Sequence, residues 1–235
     1  MATTPAQLRT NFHLQRSEFW SGDLGLTLIT ISLLALVFII TPLREVGLPG
    51  RIVFDLLILS LMIFGALVVE QSKLATFSVI AFVLVTAAVL GVARFHPTTL
   101  LHQVGSILST ITLLLYVRIV LVVMFRAGPV SWSRIQGGVS AYLLLGMAWA
   151  SAFQVLEQFR PDSLHFVTAP AGFDQLISKL TYFSFCTLTT IGGEVTPVSP
   201  IARSLTIAES MTGQLFPAIL IGALVAMAMR SPTKS

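Results

Sequence analysis

Charge-free apolar runs about as long as a bilayer is thick constrain this chain more than any other feature. A spanning helix needs about 20 mostly apolar residues. Leu24 to Leu43, Leu74 to Ala93 and Ile135 to Leu156 carry no charge at all. Ile52 to Val69 contains only Asp55, and Val104 to Phe125 only Arg118. Ile201 to Met229 has Arg203 and Glu209 near its start and no charge beyond them. Six spans are therefore expected. Composition agrees: 55% of residues are hydrophobic and 10% charged, against about 25% charged in a soluble domain. The chain reads as an integral, all-α membrane protein.

The net charge of +4 comes from scattered cations. They flank spans rather than forming a basic run, so no nucleic-acid partner is expected. Cys186 is the single cysteine and excludes an intrachain disulfide. Residues 1–21 are polar, and the first apolar run is too long for the core of a signal peptide, so no cleaved leader is expected. Cations divide almost evenly between the two sides, and the positive-inside rule does not orient the chain.

A Gly-Pro break within Arg126-Ala-Gly-Pro-Val-Ser-Trp-Ser-Arg134 divides the sequence, and Trp132 suits a membrane interface. The expected organisation is an N-terminal segment 1–21, four spans over 22–125, a linker 126–134, a second membrane unit 135–230 and a tail 231–235. No strong internal repeat is present, which argues against an inverted-repeat transporter. No P-loop, zinc signature or nucleophile elbow occurs, so no enzyme is expected.

The fifth and sixth runs are separated by a segment of different character. Glu157, Arg160, Asp162, His165 and Asp174 precede a short apolar piece, and then comes "TLTTIGGEVTPVSP", Thr187 to Pro200. The apolar piece is too short to cross a bilayer and return, so a re-entrant helix over 175–188 is predicted. Non-helical backbone at membrane depth survives only where it is buried or lines water. Four copies of "TIGGE" around an axis would present carbonyls and Thr190 hydroxyls able to replace a cation's water shell. The preceding helix would point its negative end the same way. A cation pore is the economical reading; an ordinary glycine-rich loop is the plain alternative.

The stretch "YFSFCTLTTIGGEVTPVSPIARSLTIAESMTGQLFPAILIGALVA" resembles the pore region of the tetrameric potassium-channel superfamily, whose pattern is T-T-V-G-Y-G-D-x-T-P. Thr189, Thr190, Ile191 and Gly192 match on one side, and Thr196 and Pro197 on the other. "RIQGGVSAYLLLGMAWASAFQVLE" is similar to the outer helix of bacterial six-span members. The resemblance covers about residues 130–230 well. It reaches the first four spans only in number and placement.

The resemblance implies six transmembrane helices plus a re-entrant pore helix and filter loop, assembled as a homotetramer. The filter would be Thr189, Thr190, Ile191, Gly192, Gly193 and Glu194, with the inner helix over 201–229. The long connection would face outward and both termini would be cytoplasmic, in a bacterial inner membrane. Tyr182 and Phe183 stand where the family has an aromatic pair, and each can serve packing alone. Glu209 either braces the pore helix or faces an outer vestibule. Gly213 is a hinge or a close helix approach, and Pro217 removes an amide donor and kinks the inner helix.

The departure from the pattern is informative. The aromatic of G-Y-G has no counterpart, and Glu194 replaces Asp. One residue fewer removes one ring of four carbonyls in a tetramer. Cyclic-nucleotide-gated relatives, with a still shorter "TIGE", are similar in discriminating little between sodium and potassium. The expected activity is a cation channel weakly selective or non-selective for Na+ and K+, with Ca2+ attracted to Glu194 at the outer mouth. A potassium-selective channel and a non-conducting scaffold with a degenerate filter are the alternatives. No other cofactor is expected.

Voltage sensing needs several arginines at every third position of the fourth span. Arg118 and Arg126 are eight apart, and one charge moved is worth only about 2.3 kcal/mol per 100 mV. Arg118 is instead expected to pair with Glu70. His96, His102 and His165 lack ligand spacing and read as surface residues. No ligand-binding domain is expected on this chain.

Overall fold

The computed structural model describes residues 23–40, 73–96, 98–125 and 132–230. The second expected span, with Asp55 and Glu70, lies outside the described residues. So do the N-terminal segment, most of the linker and the tail.

Helix α1 covers Asp23–Ala35 and runs on as a π-helical stretch, Leu36–Ile40. Helices α2, Lys73–Phe95, and α3, Thr99–Met124, follow. Helix α4 spans Trp132–Phe159. After a short strand β1, Leu164–Phe166, come the half-length helix α5, Phe173–Leu188, strand β2, Val195–Pro197, and helix α6, Pro200–Arg230. Among the described residues three segments are long and apolar enough to cross a membrane: Thr99–Val122, Arg134–Phe159 and Pro200–Met229. Thr30–Ile39 and Ala81–Ala93 are shorter apolar pieces.

Helix α4 is the hub, packing against α1, α3, α5 and α6. One core cluster joins Leu33 and Leu36 of α1, Val83 of α2, Tyr116 and Val117 of α3, and Leu143, Leu144 and Met147 of α4. A second joins Phe153 and Leu156 of α4 to Leu180 and Phe183 of α5, Leu164, Val195 and Ala202.

Lipid tails are as apolar as leucine, so burial alone gives helices little reason to pair, and polar side chains act as glue. The α3–α4 contact follows this rule. Ser106 Oγ accepts from Gln154 Nε2 at 2.8 Å and Gln158 Nε2 at 3.0 Å, and Thr110 donates to Ser151 at 2.8 Å. Thr30 and Ser140 join α1 to α4 at 2.8 Å.

The strands are an addition to the all-helical expectation. β1 and β2 pair antiparallel, with Leu164 opposite Pro197, His165 opposite Thr196 and Phe166 opposite Val195. Three-residue strands carry no periodic signal, and this pair satisfies backbone groups that would otherwise lack partners. It also closes the neck of the connection, so that α5 and its loop are an excursion from a fixed base.

Candidate functional site

Helix α5 begins two residues before its predicted start. Gln175 Oε1 accepts the Ala171 amide at 2.8 Å, and Asp174 lies in the first turn, where the helix dipole favours an acid. Its buried face includes Leu180, Phe183, Ser184, Cys186 and Leu188. The aromatic pair is split. Phe183 is buried and meets Phe153 edge-on, ring centres 5.0 Å apart. Tyr182 points outward, 56% exposed on the single chain. Its phenol lies beside Cys186 and Glu194. A side chain added at Gly193 would begin 3.8 Å from the Tyr182 ring and 3.7 Å from Cys186. These two residues therefore line the back of the loop.

The end of α5 has a defined cap. The Ile191 amide bonds the Cys186 carbonyl at 2.9 Å, and the Thr190 amide bonds Thr187 at 3.1 Å. This paired pattern is the Schellman motif, which usually places glycine at its left-handed residue. Here that residue is Thr190, at φ 58°. A β-branched side chain is costly there. Its hydroxyl donates to the Thr189 carbonyl at 2.7 Å. Gly192 is also left-handed, at φ 81°, and is suited to it. Thr190→Gly is expected to stabilise the folded chain by about 1 kcal/mol, because left-handed backbone costs a Cβ-bearing residue roughly that much. A thermal-unfolding midpoint that does not rise would contradict a strained Thr190.

Every residue from Thr189 to Glu194 is exposed on the single chain, Ile191 at 77%. The loop stands away from its own protein. Glu194 lies at its C-terminal end, where its backbone carbonyl accepts the Val167 amide at 3.4 Å beside the strand pair.

Helix α6 starts on a Ser-Pro cap. Ser199 Oγ accepts the Ala202 amide at 3.1 Å, and Pro200 takes the first helical position. Gly213 is buried against the end of α5: a Cβ there would sit 2.2 Å from the Leu188 carbonyl oxygen. A close approach is thus what this glycine makes. Pro217 lies four residues on and supplies no amide, so the Gly213 carbonyl loses its helical donor. The two residues mark one weak turn of α6. Glu209 is fully buried and meets the Ser184 hydroxyl of α5. Arg118 is exposed on α3, and Glu70, its expected partner, lies outside the described residues.

Sequence reasoning missed two polar anchors. Ser184, inside an apolar helix, bonds both the Gly146 carbonyl and Glu209. Glu157, near the end of α4, accepts the Asp162 amide at 2.9 Å through Oε1 and the Leu164 amide at 3.2 Å through Oε2. It fixes the turn at Asp162, itself left-handed at φ 65°. A lone acid just before a polar turn was the available signal for Glu157. Ser184 had none beyond being polar in an apolar run.

Two long apolar helices flanking a half-length helix and an exposed glycine loop are the parts of an ion-channel pore. The family model described as an ion channel matches residues 141–230, from within α4 to the end of α6. This match supports a pore-loop ion channel in an integral membrane protein. No curated protein and no solved structure matches the chain.

Proposed function

We propose that the chain is the pore subunit of a homotetrameric cation channel with six spans per subunit. The channel is weakly selective or non-selective between Na+ and K+. The observation that carries this reading is the exposure of Thr189 to Glu194 on a loop fixed at both ends by α5 and the β1–β2 pair. One such loop cannot surround an ion, and closed symmetry supplies the rest. Thr189, Thr190, Ile191, Gly192, Gly193 and Glu194 form the filter. Tyr182, Phe183 and Glu209 brace the pore helix, and Gly213 with Pro217 forms the compliant turn of the inner helix. Arg118 pairs with Glu70 rather than sensing voltage.

The loop is one residue shorter than the potassium-selective pattern and lacks its aromatic, which supports weak selectivity over the potassium-selective alternative. Purified protein in liposomes is expected to pass both Na+ and K+, with reversal potentials showing little preference. A steep preference for K+ would favour the selective channel, and absent flux the scaffold. Native mass measurement should give four chains; a stable monomer or dimer alone would remove the pore reading.

The proposed orientation puts the 157–203 connection outside and both termini in the cytoplasm of a bacterial inner membrane. Asp162 is exposed and Cys186 buried. Asp162→Cys is therefore expected to react with an impermeant thiol reagent on intact cells. Labelling only after permeabilisation would invert the topology.

A further inference from the structure

Ser184 Oγ lies within hydrogen-bond reach of two oxygens, the Gly146 carbonyl of α4 at 2.7 Å and Glu209 Oε1 of α6. A hydroxyl has one proton to donate. The Gly146 carbonyl can only accept. Were Glu209 ionised, it too could only accept, and one of the two contacts would join two acceptors with no proton between them. Both residues are fully buried, and Glu209 Oε2 has no partner. A carboxylate in such a place, held by one hydroxyl, carries a large desolvation penalty.

The contradiction disappears if Glu209 carries the proton on Oε1. Its O–H then donates to Ser184 Oγ, and the Ser184 O–H donates to the Gly146 carbonyl. Oε2 becomes a carbonyl acceptor, the cheaper kind of polar atom to leave unpaired. We propose that Glu209 is a neutral carboxylic acid whose proton completes a relay from α6 through the pore helix α5 to α4. It is thereby a proton-dependent positioning residue for the filter. This rests on the channel reading above for its effect on conduction, though not for the protonation itself.

Ser184 lies on the buried face of α5, and Thr189, where the filter begins, follows within two turns. With the proton present, three helices are joined. With the proton removed, Ser184 must choose between Glu209 and Gly146, and the pore helix loses one of its two tethers. The relay is therefore intact at neutral pH and lost as pH rises. From α4, the Tyr142 phenol is the titratable group that feels a charge on Glu209. α5 presents the Ser184 hydroxyl, and no cation bonds the carboxyl among the described residues.

The test uses the full-length protein in lipid. Infrared difference spectra of wild type against Glu209→Gln, with labelled glutamate, read the carbonyl stretch of a protonated carboxyl directly. Its presence at neutral pH is expected. Its absence overturns the proposal whether or not the protein conducts, whereas missing flux beside an intact band would strike only the channel reading. Glutamine offers Ser184 one donor and keeps one carbonyl acceptor, as the neutral acid does, with one further N–H, so Glu209→Gln should assemble and conduct like wild type. If Glu209→Gln fails to assemble, the labelled wild-type spectrum decides alone, and absence of the band at neutral pH still overturns the proposal.

Wild-type flux is expected to fall in alkaline solution, approaching about tenfold per pH unit beyond the midpoint. Glu209→Gln should stay flat, and Tyr142→Phe should fall like wild type. Equal pH profiles for wild type and Glu209→Gln would end the positioning role.

Discussion

Gly213→Ala is expected to abolish ion flux and to disrupt assembly. The added methyl would lie 2.2 Å from the Leu188 oxygen, 2.7 Å from its Cα and 2.8 Å from its carbonyl carbon. These are backbone atoms, so no rotamer change relieves the clash. Leu188 is itself fully buried, and the turn that follows it is tied by the Thr190 and Ile191 amides. Either α6 moves away or the end of α5 is pushed out of place, and the proposed filter begins at the next residue. Overpacking a core costs about 1–3 kcal/mol where side chains can adjust, and more where they cannot. Gly91→Ala provides the contrast. Nothing lies within 4 Å of its added methyl, and it is in a helix interior. A gain of roughly 0.5–1 kcal/mol is expected there. Liposome flux and the size of the assembly in detergent measure both variants. Wild-type conduction by Gly213→Ala would show that α6 and α5 are not in close contact in the working channel.

The second large effect is expected at Glu194. In the proposed tetramer four of these side chains surround the outer mouth, each exposed at the end of its loop. A ring of carboxylates concentrates cations and attracts divalent ions most, and carboxylate oxygens are hard ligands for calcium. Glu194→Gln keeps shape and removes charge. Single-channel conductance should fall, and the external calcium needed for half block should rise by about tenfold or more, within the range by which such rings enrich counter-ions. The preference between sodium and potassium should change less, because the backbone carbonyls are untouched. A Glu194→Gln channel with unaltered conductance and calcium block would leave this acid only a bracing role beside Tyr182.

Length and hydropathy made the three helices of membrane-crossing length among the described residues legible in the sequence, because crossing hydrocarbon requires a long run of apolar residues. The half-length helix was legible for the same reason, being too short to cross. Gly192 and Gly193 marked the loop, and Gly192 takes the left-handed backbone that residues with a Cβ resist. Tertiary structure decided what no run or motif encodes, namely which polar atom meets which. Ser184, Glu209 and Gly146 lie on three helices, and their contacts form only once those helices are packed. Gly213 against a carbonyl rather than in open helix likewise follows from a neighbour distant in the chain, whereas the left-handed Thr190 follows from the local cap that ends α5. The β1–β2 pair escaped sequence reading because three residues are too few for alternation to emerge. It forms because the two ends of a long connection, brought together by α4 and α6, satisfy each other's backbone.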